Sequence, residues 1–172
     1  IYIRADGSVD PLTAPISTDD YVTYTLTGNI TSDADGIVVE RDNIVIDGAG
    51  YTLQGNGTGD GFLLSSRSNV TIKSINIKGF YYGIRLEESS DNDIMANSIV
   101  NNTRGFLLDR SSRNVLRNNG ISGNEYNFGV WGYLLSEFIN DVDSSNLVNG
   151  KPVCYWVNKH NGSVPLDVGY VA

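Results

Sequence analysis

The sequence has few of the residues that bind metals or form disulfides. Its 172 residues include one Cys, one Met and one His. A single Cys excludes a disulfide framework, and one Cys with one His excludes the usual Cys/His zinc sites. One His also supports no confident Ser/His/Asp arrangement. We therefore expect no metal and no cofactor, and no catalytic residue is assigned.

Positive charge and long apolar runs are scarce too. The chain has 12 Lys and Arg against 20 Asp and Glu, which gives a formal net charge of −8. Nucleic acid is not an expected partner, because phosphate neutralisation needs clustered Lys and Arg. No run of about 18 apolar residues is present, so no membrane span is expected. A hydrophobic content of 40% still allows one domain with a sizeable core.

Two sequence motifs recur between about residues 36 and 133. The first is a Gly followed by alternating apolar residues, at Gly61, Gly83, Gly105 and Gly129, with Gly36 as an earlier copy and spacings of 22, 22 and 24. The second is an Asn before apolar positions, at Asn43, Asn69, Asn92 and Asn114, with spacings of 26, 23 and 22. Internal repetition of this kind indicates a repeat architecture.

Each repeat contains short apolar runs with the period of a β-strand. Phe62 and Leu64 point to one side of such a strand and Leu63 to the other. Three short strands per repeat, separated by turn residues, predict an all-β fold: a single-stranded right-handed parallel β-helix with coils of about 22 residues. A β-sandwich is the alternative, but it does not require one residue type to return at a constant offset.

Stacked coils place equivalent residues directly above one another, about 4.8 Å apart. The repeat therefore predicts an Asn column at one corner, whose amides hydrogen-bond from coil to coil, and apolar columns that point inward. The predicted columns are Asn43/Asn69/Asn92/Asn114, Phe62/Ile84/Phe106/Val130 and Leu64/Leu86/Leu108.

The two ends of the chain depart from the repeat. Residues 1–35 contain Pro11, Pro15 and a strand-like run, and we expect an N-terminal cap segment that covers the open end of the coils. Residues 36–144 form the coils. Residues 145–172 carry Asn149-Gly150 and Asn161-Gly162, which predict a C-terminal hairpin excursion and a terminal strand. All three segments belong to one domain.

The segment around Ile46-Asp47-Gly48 and Gly50-Tyr51 resembles the first turns of the pectin-lyase-like superfamily. The later repeats, with their SSxN, NxI and GI elements, resemble NosD-like right-handed β-helix repeats, and SSNLVNGKPVCYWVN is similar to a segment of exported archaeal surface repeat proteins. The resemblance covers about residues 28–160 and implies the fold. It implies no single activity, because the superfamily includes lyases, hydrolases, epimerases and noncatalytic surface proteins.

Enzymes of the resembled superfamily need clustered acids on one face. Glu87 and Asp109 share a column here, four residues after the motif Gly. Two stacked carboxylates about 5 Å apart either bind a cation or act as an acid/base pair. The neighbouring Arg85, Arg110 and Arg113 favour ordinary ion pairing instead.

Aromatic, arginine and leucine side chains lie on the outward side of the same strands and at the corner before them. Such a surface suits stacking on sugar rings or docking of another protein, unless the chain itself covers it. Its members, which we call the aromatic–arginine face, are Leu63, Tyr81, Tyr82, Arg85, Arg104, Leu107, Tyr126 and Trp131. Within it, Leu63, Arg85, Leu107 and Trp131 are expected to form one outward column.

Five sequons make N-glycosylation a hypothesis. They begin at Asn29, Asn56, Asn69, Asn101 and Asn161. Ile1 is an unusual first residue for a translation product, so we expect a trimmed, exported chain or an excised fragment, located extracellularly or at the cell surface. Cys154 lies in an apolar run and is expected to be a buried, unreactive thiol.

The leading hypothesis is a noncatalytic extracellular structural protein. It would be a cell-surface or filament subunit that forms a homo-oligomer or polymer through coil ends and the apolar stripe, which is the outward column of Leu63, Arg85, Leu107 and Trp131 and is apolar apart from Arg85. Open coil ends are templates for strand addition. The alternative is a carbohydrate-binding module or a polysaccharide lyase- or hydrolase-like enzyme on the same fold, with a polysaccharide as partner. A fragment of a longer surface protein is the third hypothesis.

Overall fold

The computed structural model describes residues 1–171, which form a parallel β-helix with three sheets around one hydrophobic core. Sheet A contains β1 (Tyr2–Ile3), β2 (Val9–Asp10), β6 (Ile37–Val39), β9 (Asp60–Ser65), β12 (Tyr82–Glu87), β15 (Arg104–Asp109) and β18 (Tyr126–Trp131). Sheet B contains β3 (Ile16–Ser17), β4 (Thr23–Leu26), β7 (Ile44–Asp47), β10 (Val70–Lys73), β13 (Asp93–Met95), β16 (Val115–Arg117) and β19 (Asp141–Val142). Sheet C contains β5 (Ile30–Thr31), β8 (Thr52–Gln54), β11 (Asn76–Lys78), β14 (Ser98–Val100), β17 (Gly120–Ser122), β20 (Leu147–Val148), β21 (Lys151–Cys154) and β22 (Tyr170–Val171).

Each coil runs through sheets A, B and C in that order, and equivalent strands of successive coils pair in parallel. On sheet A, Phe62 pairs with Ile84 and Ile84 with Phe106, so the sequence offset between paired residues stays constant from coil to coil. This confirms the predicted all-β parallel β-helix. The only helical element in residues 1–171 is the 3₁₀ turn Leu135–Phe138, and no helix there is long and apolar enough to cross a membrane.

The inward columns of sheet A agree with the prediction except in the last coil. Phe106 pairs with Phe128, not with Val130, and their rings stack with centroids 5.6 Å apart. Val130 instead pairs with Leu108. The predicted column was wrong at this point because Gly129 was aligned with Gly105 at a spacing of 24, whereas this part of the sheet keeps the offset of the preceding coils.

The recurring Gly is the second residue of β9, β12 and β15, beside the corner between sheets C and A, and the next coil packs directly against it. A Cβ on Gly83 would lie 2.5 Å from the carbonyl oxygen of Gly105 and 2.5 Å from Ile99 Cγ2. Gly61 and Gly105 have the same environment, with carbonyl oxygens of the next coil 2.5 and 2.4 Å from an ideal Cβ. A side chain does not fit there, which explains the first motif.

The predicted Asn column exists but divides into two parts. Asn92 donates to Asn114 Oδ1 and Asn114 to Asn140 Oδ1, each at 3.0 Å. Asn69 donates separately to Asn43 Oδ1 at 2.9 Å. The expectation of one continuous column was wrong because Asn69 and Asn92 are out of register by one residue. Their spacing is 23, which exceeds by one the spacing between paired positions of β10 and β13.

Two further Asn ladders follow the other corners. They consist of Asn97, Asn119 and Asn146 between sheets B and C, with amide contacts of 3.1 and 2.8 Å, and of Asn102, Asn124 and Asn127 between sheets C and A, with contacts of 3.0 Å. All of these residues except Asn127 also donate to a backbone carbonyl of a neighbouring coil, as Asn119 Nδ2 does to the Ile94 carbonyl at 2.8 Å. Buried corner backbone is thereby satisfied.

Antiparallel strands cover the N-terminal end of the β-helix. β2 pairs antiparallel with β1, and β3 with β4. Tyr24 is fully buried beneath them and donates its hydroxyl to the Gly7 carbonyl at 2.8 Å. These residues cap the coils as the sequence predicted. The segment boundaries at 35/36 and 144/145 stay predictions.

At the C-terminal end the chain turns back through Asn149-Gly150. Both residues have positive φ, 51° and 79°, and β21 pairs antiparallel with β20. This confirms the first hairpin signal. The second, at Asn161-Gly162, was misleading: residues 158–169 contain no strand, and β21 and β22 on either side of that turn pair in parallel instead of forming a hairpin. Ala172, the last residue of the predicted excursion, lies outside the described residues.

Two Gly→Ala substitutions test whether close coil packing requires the corner Gly. Gly83→Ala is expected to lower the free energy of unfolding by about 2–3 kcal/mol, because the new methyl overpacks a buried corner. Gly120→Ala is the matched control, since its Cβ would meet nothing within 4 Å. It is expected to change stability by less than about 1 kcal/mol, in the stabilising direction. Urea unfolding measures both, and equal losses would contradict the explanation.

Candidate functional site

The outward side chains of sheet A place most of the aromatic–arginine face together. Leu63, Arg85 and Leu107 form one column, as predicted. The fourth position of that column is Gly129, not Trp131. Trp131 pairs with Asp109 instead, so the prediction that it completes the apolar stripe was wrong. The cause is the alignment of Gly129 with Gly105, which also misplaced Val130 by two residues.

The second outward column stacks aromatic rings on an arginine. Tyr82 pairs with Arg104 and Arg104 with Tyr126. The guanidinium carbon of Arg104 lies 5.9 Å from the Tyr82 ring centroid and 4.8 Å from that of Tyr126, within cation–π range. Tyr81, at the corner, packs edge-to-face on Tyr82 with centroids 5.0 Å apart.

The chain leaves this surface open to solvent. Tyr81, Tyr126 and Trp131 are 43%, 55% and 45% exposed. Residues 1–35 and the C-terminal hairpin therefore do not cover these rings. The sequence left open that the chain itself covers the aromatic–arginine face. For these three rings, residues 1–171 provide no such cover.

Two arginines bind the carboxylates at the other end of these strands. Arg85 lies 3.2 Å from Glu87 and 3.8 Å from Asp109, and Arg110 lies 3.3 Å from each of them. Glu87 and Asp109 are paired across β12 and β15, as predicted. Ion pairing, rather than a pair of free carboxylates, is confirmed. Arg113 takes no part and pairs elsewhere.

Asp60 adds a buried carboxylate that the sequence analysis did not single out. Burial raises the pKa of Asp60 from 3.8 to about 6. Arg85 opposes this shift but approaches only to 3.9 Å, and Asp35 and Glu87 add repulsion. Asp60 pairs with Tyr82 of the next coil, at the end of the aromatic–arginine column.

A polar groove of about 640 Å³ lies beside the face, at the corner between sheets C and A. Its lining includes Gly79, Asn101 and Gly123, which have positive φ at equivalent positions of three coils. Thr103 and Glu125 also line it, and they immediately precede Arg104 and Tyr126. The groove and the aromatic–arginine face therefore form one surface. Sequence reasoning missed the groove because no single residue type marks it.

The five sequon asparagines are all exposed. Asn69 already donates its amide to Asn43, and Asn56 donates to the Asp33 carbonyl at 3.4 Å. Asn101 lies in the polar groove. Glycosylation of these residues stays a prediction.

The residues with soft metal-ligand side chains lie apart. Met95 ends β13 on sheet B, Cys154 is buried at the end of β21 on sheet C, and His160 is exposed in the segment after it. Burial of Cys154 agrees with the expectation from its apolar run. Across residues 1–171, no three His, Cys, Asp or Glu side chains are grouped so that they could hold a metal.

The raised pKa of Asp60 predicts a pH dependence of stability. The folded-state pKa of about 6 lies above the ordinary value of 3.8, so the folded protein binds the extra proton between these values. The free energy of unfolding is therefore expected to fall as pH rises from about 4 to about 6, and Asp60→Asn removes this contribution.

Urea unfolding at several pH values measures the effect. Asp91→Asn is the control, because the hydrogen bond from Arg113 lowers the pKa of Asp91 and its contribution to stability is lost as pH falls. A constant stability difference between wild type and Asp60→Asn from pH 4 to pH 7 would contradict the assignment.

Comparison with known proteins identifies the family. A family model described as NosD, periplasmic copper-binding protein, matches residues 15–164. No curated protein and no solved structure matches the chain. The matched region includes all five coils and the C-terminal hairpin, and it therefore contains every residue of the aromatic–arginine face. The chain belongs to the NosD family.

Proposed function

We propose that this protein is a noncatalytic structural protein outside the cytoplasm, whose aromatic–arginine face binds saccharide chains. The family description names a periplasmic protein, which supports a periplasmic or extracellular location. The observation that carries the binding role is the column of half-buried Tyr82 and Arg104 and exposed Tyr126 beside a polar groove.

The ion pairs on sheet A support a noncatalytic role. Glu87 and Asp109 are the stacked acids best placed for acid/base chemistry, but Arg85 and Arg110 already hold both of them. A substrate that uses either carboxylate would have to compete with the guanidinium groups that already contact it. The arrangement suits a rigid surface better than a hydrolytic centre.

The geometry of the rings supports saccharide binding. Tyr82 and Tyr126 lie two strands apart on sheet A, about 9.6 Å. Two sugar units of an extended polysaccharide have a similar length, so the rings can stack on alternate units. Amide and hydroxyl groups of Asn101 and Thr103 in the groove supply hydrogen-bonding partners for sugar hydroxyls.

The copper in the family description does not fit the residues of this chain. Protein copper sites combine His, Cys and Met ligands. Here Met95 is on sheet B, Cys154 is buried on sheet C, and His160 is in an exposed segment. The described residues offer no grouped His, Cys, Asp or Glu donors either. The proposed function therefore involves no copper.

Affinity electrophoresis through gels that contain single polysaccharides tests the saccharide role. Retardation of the wild type is expected for at least one polymer, and Tyr126→Ala with Trp131→Ala is expected to weaken binding at least about tenfold, since each stacked ring contributes about 1 kcal/mol. Tyr51→Ala is the matched control, because Tyr51 is 37% exposed outside this face. No retardation in neutral or acidic polysaccharides would contradict the proposal.

Self-assembly is a second candidate function, favoured by the C-terminal end of the β-helix. The chain from Tyr126 to Ser136 has no charged residue, and β18 pairs only with β15 within residues 1–171. Tyr133 and Leu134, just after β18, are 75% and 62% exposed. An uncharged, apolar edge strand lacks the usual protection against strand addition. The capped N-terminal end has that protection, so the C-terminal end is the candidate contact.

Sedimentation velocity tests assembly over a range of protein concentrations. We expect the wild type to sediment faster as concentration rises, and the double variant Tyr133→Ser with Leu134→Ser to remain monomeric. Leu12→Ser is the control, because Leu12 is 90% exposed at the capped end. A monomeric wild type at every concentration would remove this candidate.

A further inference from the structure

We infer that the aromatic–arginine face takes an anionic sugar, whose carboxylate or sulfate group binds Arg104. This inference rests on the proposed saccharide-binding function and names the substrate class for that site. Three observations carry it: the missing charge partner of Arg104, its position between two aromatic rings, and a small notch beside it.

Arg104 differs from the other arginines of sheet A in its charge partners. Arg85 and Arg110 each bind several carboxylates. Within residues 1–171, no carboxylate lies within ion-pair distance of Arg104. Its Nε is buried without a hydrogen-bond partner, as is that of Arg85, so the missing carboxylate is what sets Arg104 apart. Its charge is thus the one on this face that a ligand anion is free to neutralise.

The rings around Arg104 hold its guanidinium in place. Tyr82 and Tyr126 are the neighbours of Arg104 in the column, at 5.9 and 4.8 Å from its guanidinium carbon. A planar guanidinium that is already ordered loses less entropy when it forms paired hydrogen bonds to a carboxylate or sulfate. Because Tyr82 and Tyr126 are spaced for alternate sugar units, Arg104 between them faces the unit that the two stacked units flank.

Gly129 creates the notch. It occupies the position above Leu107 where a side chain would fill the outward column. The resulting notch, of about 90 Å³, is lined by Arg104, Leu107, Tyr126 and Gly129. Its size suits a substituent of a few atoms on a sugar ring.

The surrounding charges define the direction from which an anion approaches. Glu125 lines the groove on the other side of Tyr126, and the chain as a whole carries a net charge of −8. Both repel an anionic polymer. An anionic group therefore binds from the Gly129 side, and the attraction is local to Arg104 rather than a property of the whole surface.

Binding of oligogalacturonate and of its carboxyl-reduced, neutral counterpart tests the inference. Isothermal titration calorimetry at low salt is expected to show at least about tenfold tighter binding of the acidic form, with a difference that shrinks as salt is added. Arg104→Gln is expected to abolish the preference, so that this variant binds the acidic and the neutral form equally. Arg104→Lys keeps the charge and is expected to retain part of the preference.

Lys78→Gln is the matched control, because it makes the same charge change at an exposed position on sheet C. It is expected to preserve the preference. Equal binding of the two ligands, or an equal loss in Lys78→Gln and Arg104→Gln, overturns the inference while the saccharide-binding function stands. Binding of neither ligand, nor of any polysaccharide in the gel assay, overturns both. Urea unfolding of Arg104→Gln shows whether the variant is folded.

Discussion

In-register pairing between successive coils is the constraint on which the rest of this structure depends. Phe62, Ile84, Phe106 and Phe128 lie directly above one another because every coil advances by the same length of chain on this part of sheet A. A shift by one residue would turn every inward side chain outward. The corner Gly and the Asn ladders both require this register, since each makes its contacts with the equivalent residue of the next coil.

The same register has opposite consequences inside and outside the β-helix. Inside, like side chains stack on like. Outside, opposite charges face one another on neighbouring coils, as in the pairs Asp47–Lys73, Asp91–Arg113 and Arg117–Asp141. Each exposed pair contributes little to stability. Together they leave few cations on the surface without a carboxylate partner. Arg104, which lies between tyrosines, is one of these few, and its charge is available to a ligand.

The sequence predicted the architecture because two motifs with a physical cause recur at nearly constant spacing. It did not predict the register of the last coil, where Asn127 occupies the corner position of the Gly and Gly129 only resembles the next copy. Nor did it predict the two further Asn ladders, although Asn97 and Asn119 repeat at the coil offset. Except for Asn127 in β18, the ladder residues lie between strands, where hydrophobic periodicity carries no information.

For the site, the composition of the face was predictable and its contacts were not. Leu63, Arg85 and Leu107 were recognisable as outward residues from the alternation along each strand, and Tyr82, Arg104 and Tyr126 were placed at the corner before them. The absence of a side chain at Gly129 depends on the exact register, and the groove depends on backbone at the corners. The burial of Asp60 likewise follows from packing against neighbouring coils, which one strand alone does not reveal.

Differences in coil length are confined to the corners. On sheet B, Ile72 pairs with Ile94, whereas the pairs Ile46 with Ile72 and Leu116 with Val142 span a longer stretch of chain. The extra residues bulge outward while the paired strands keep their alignment. New loops can therefore be grafted at these bends, by evolution or by design, to diversify the exterior without rebuilding the interior.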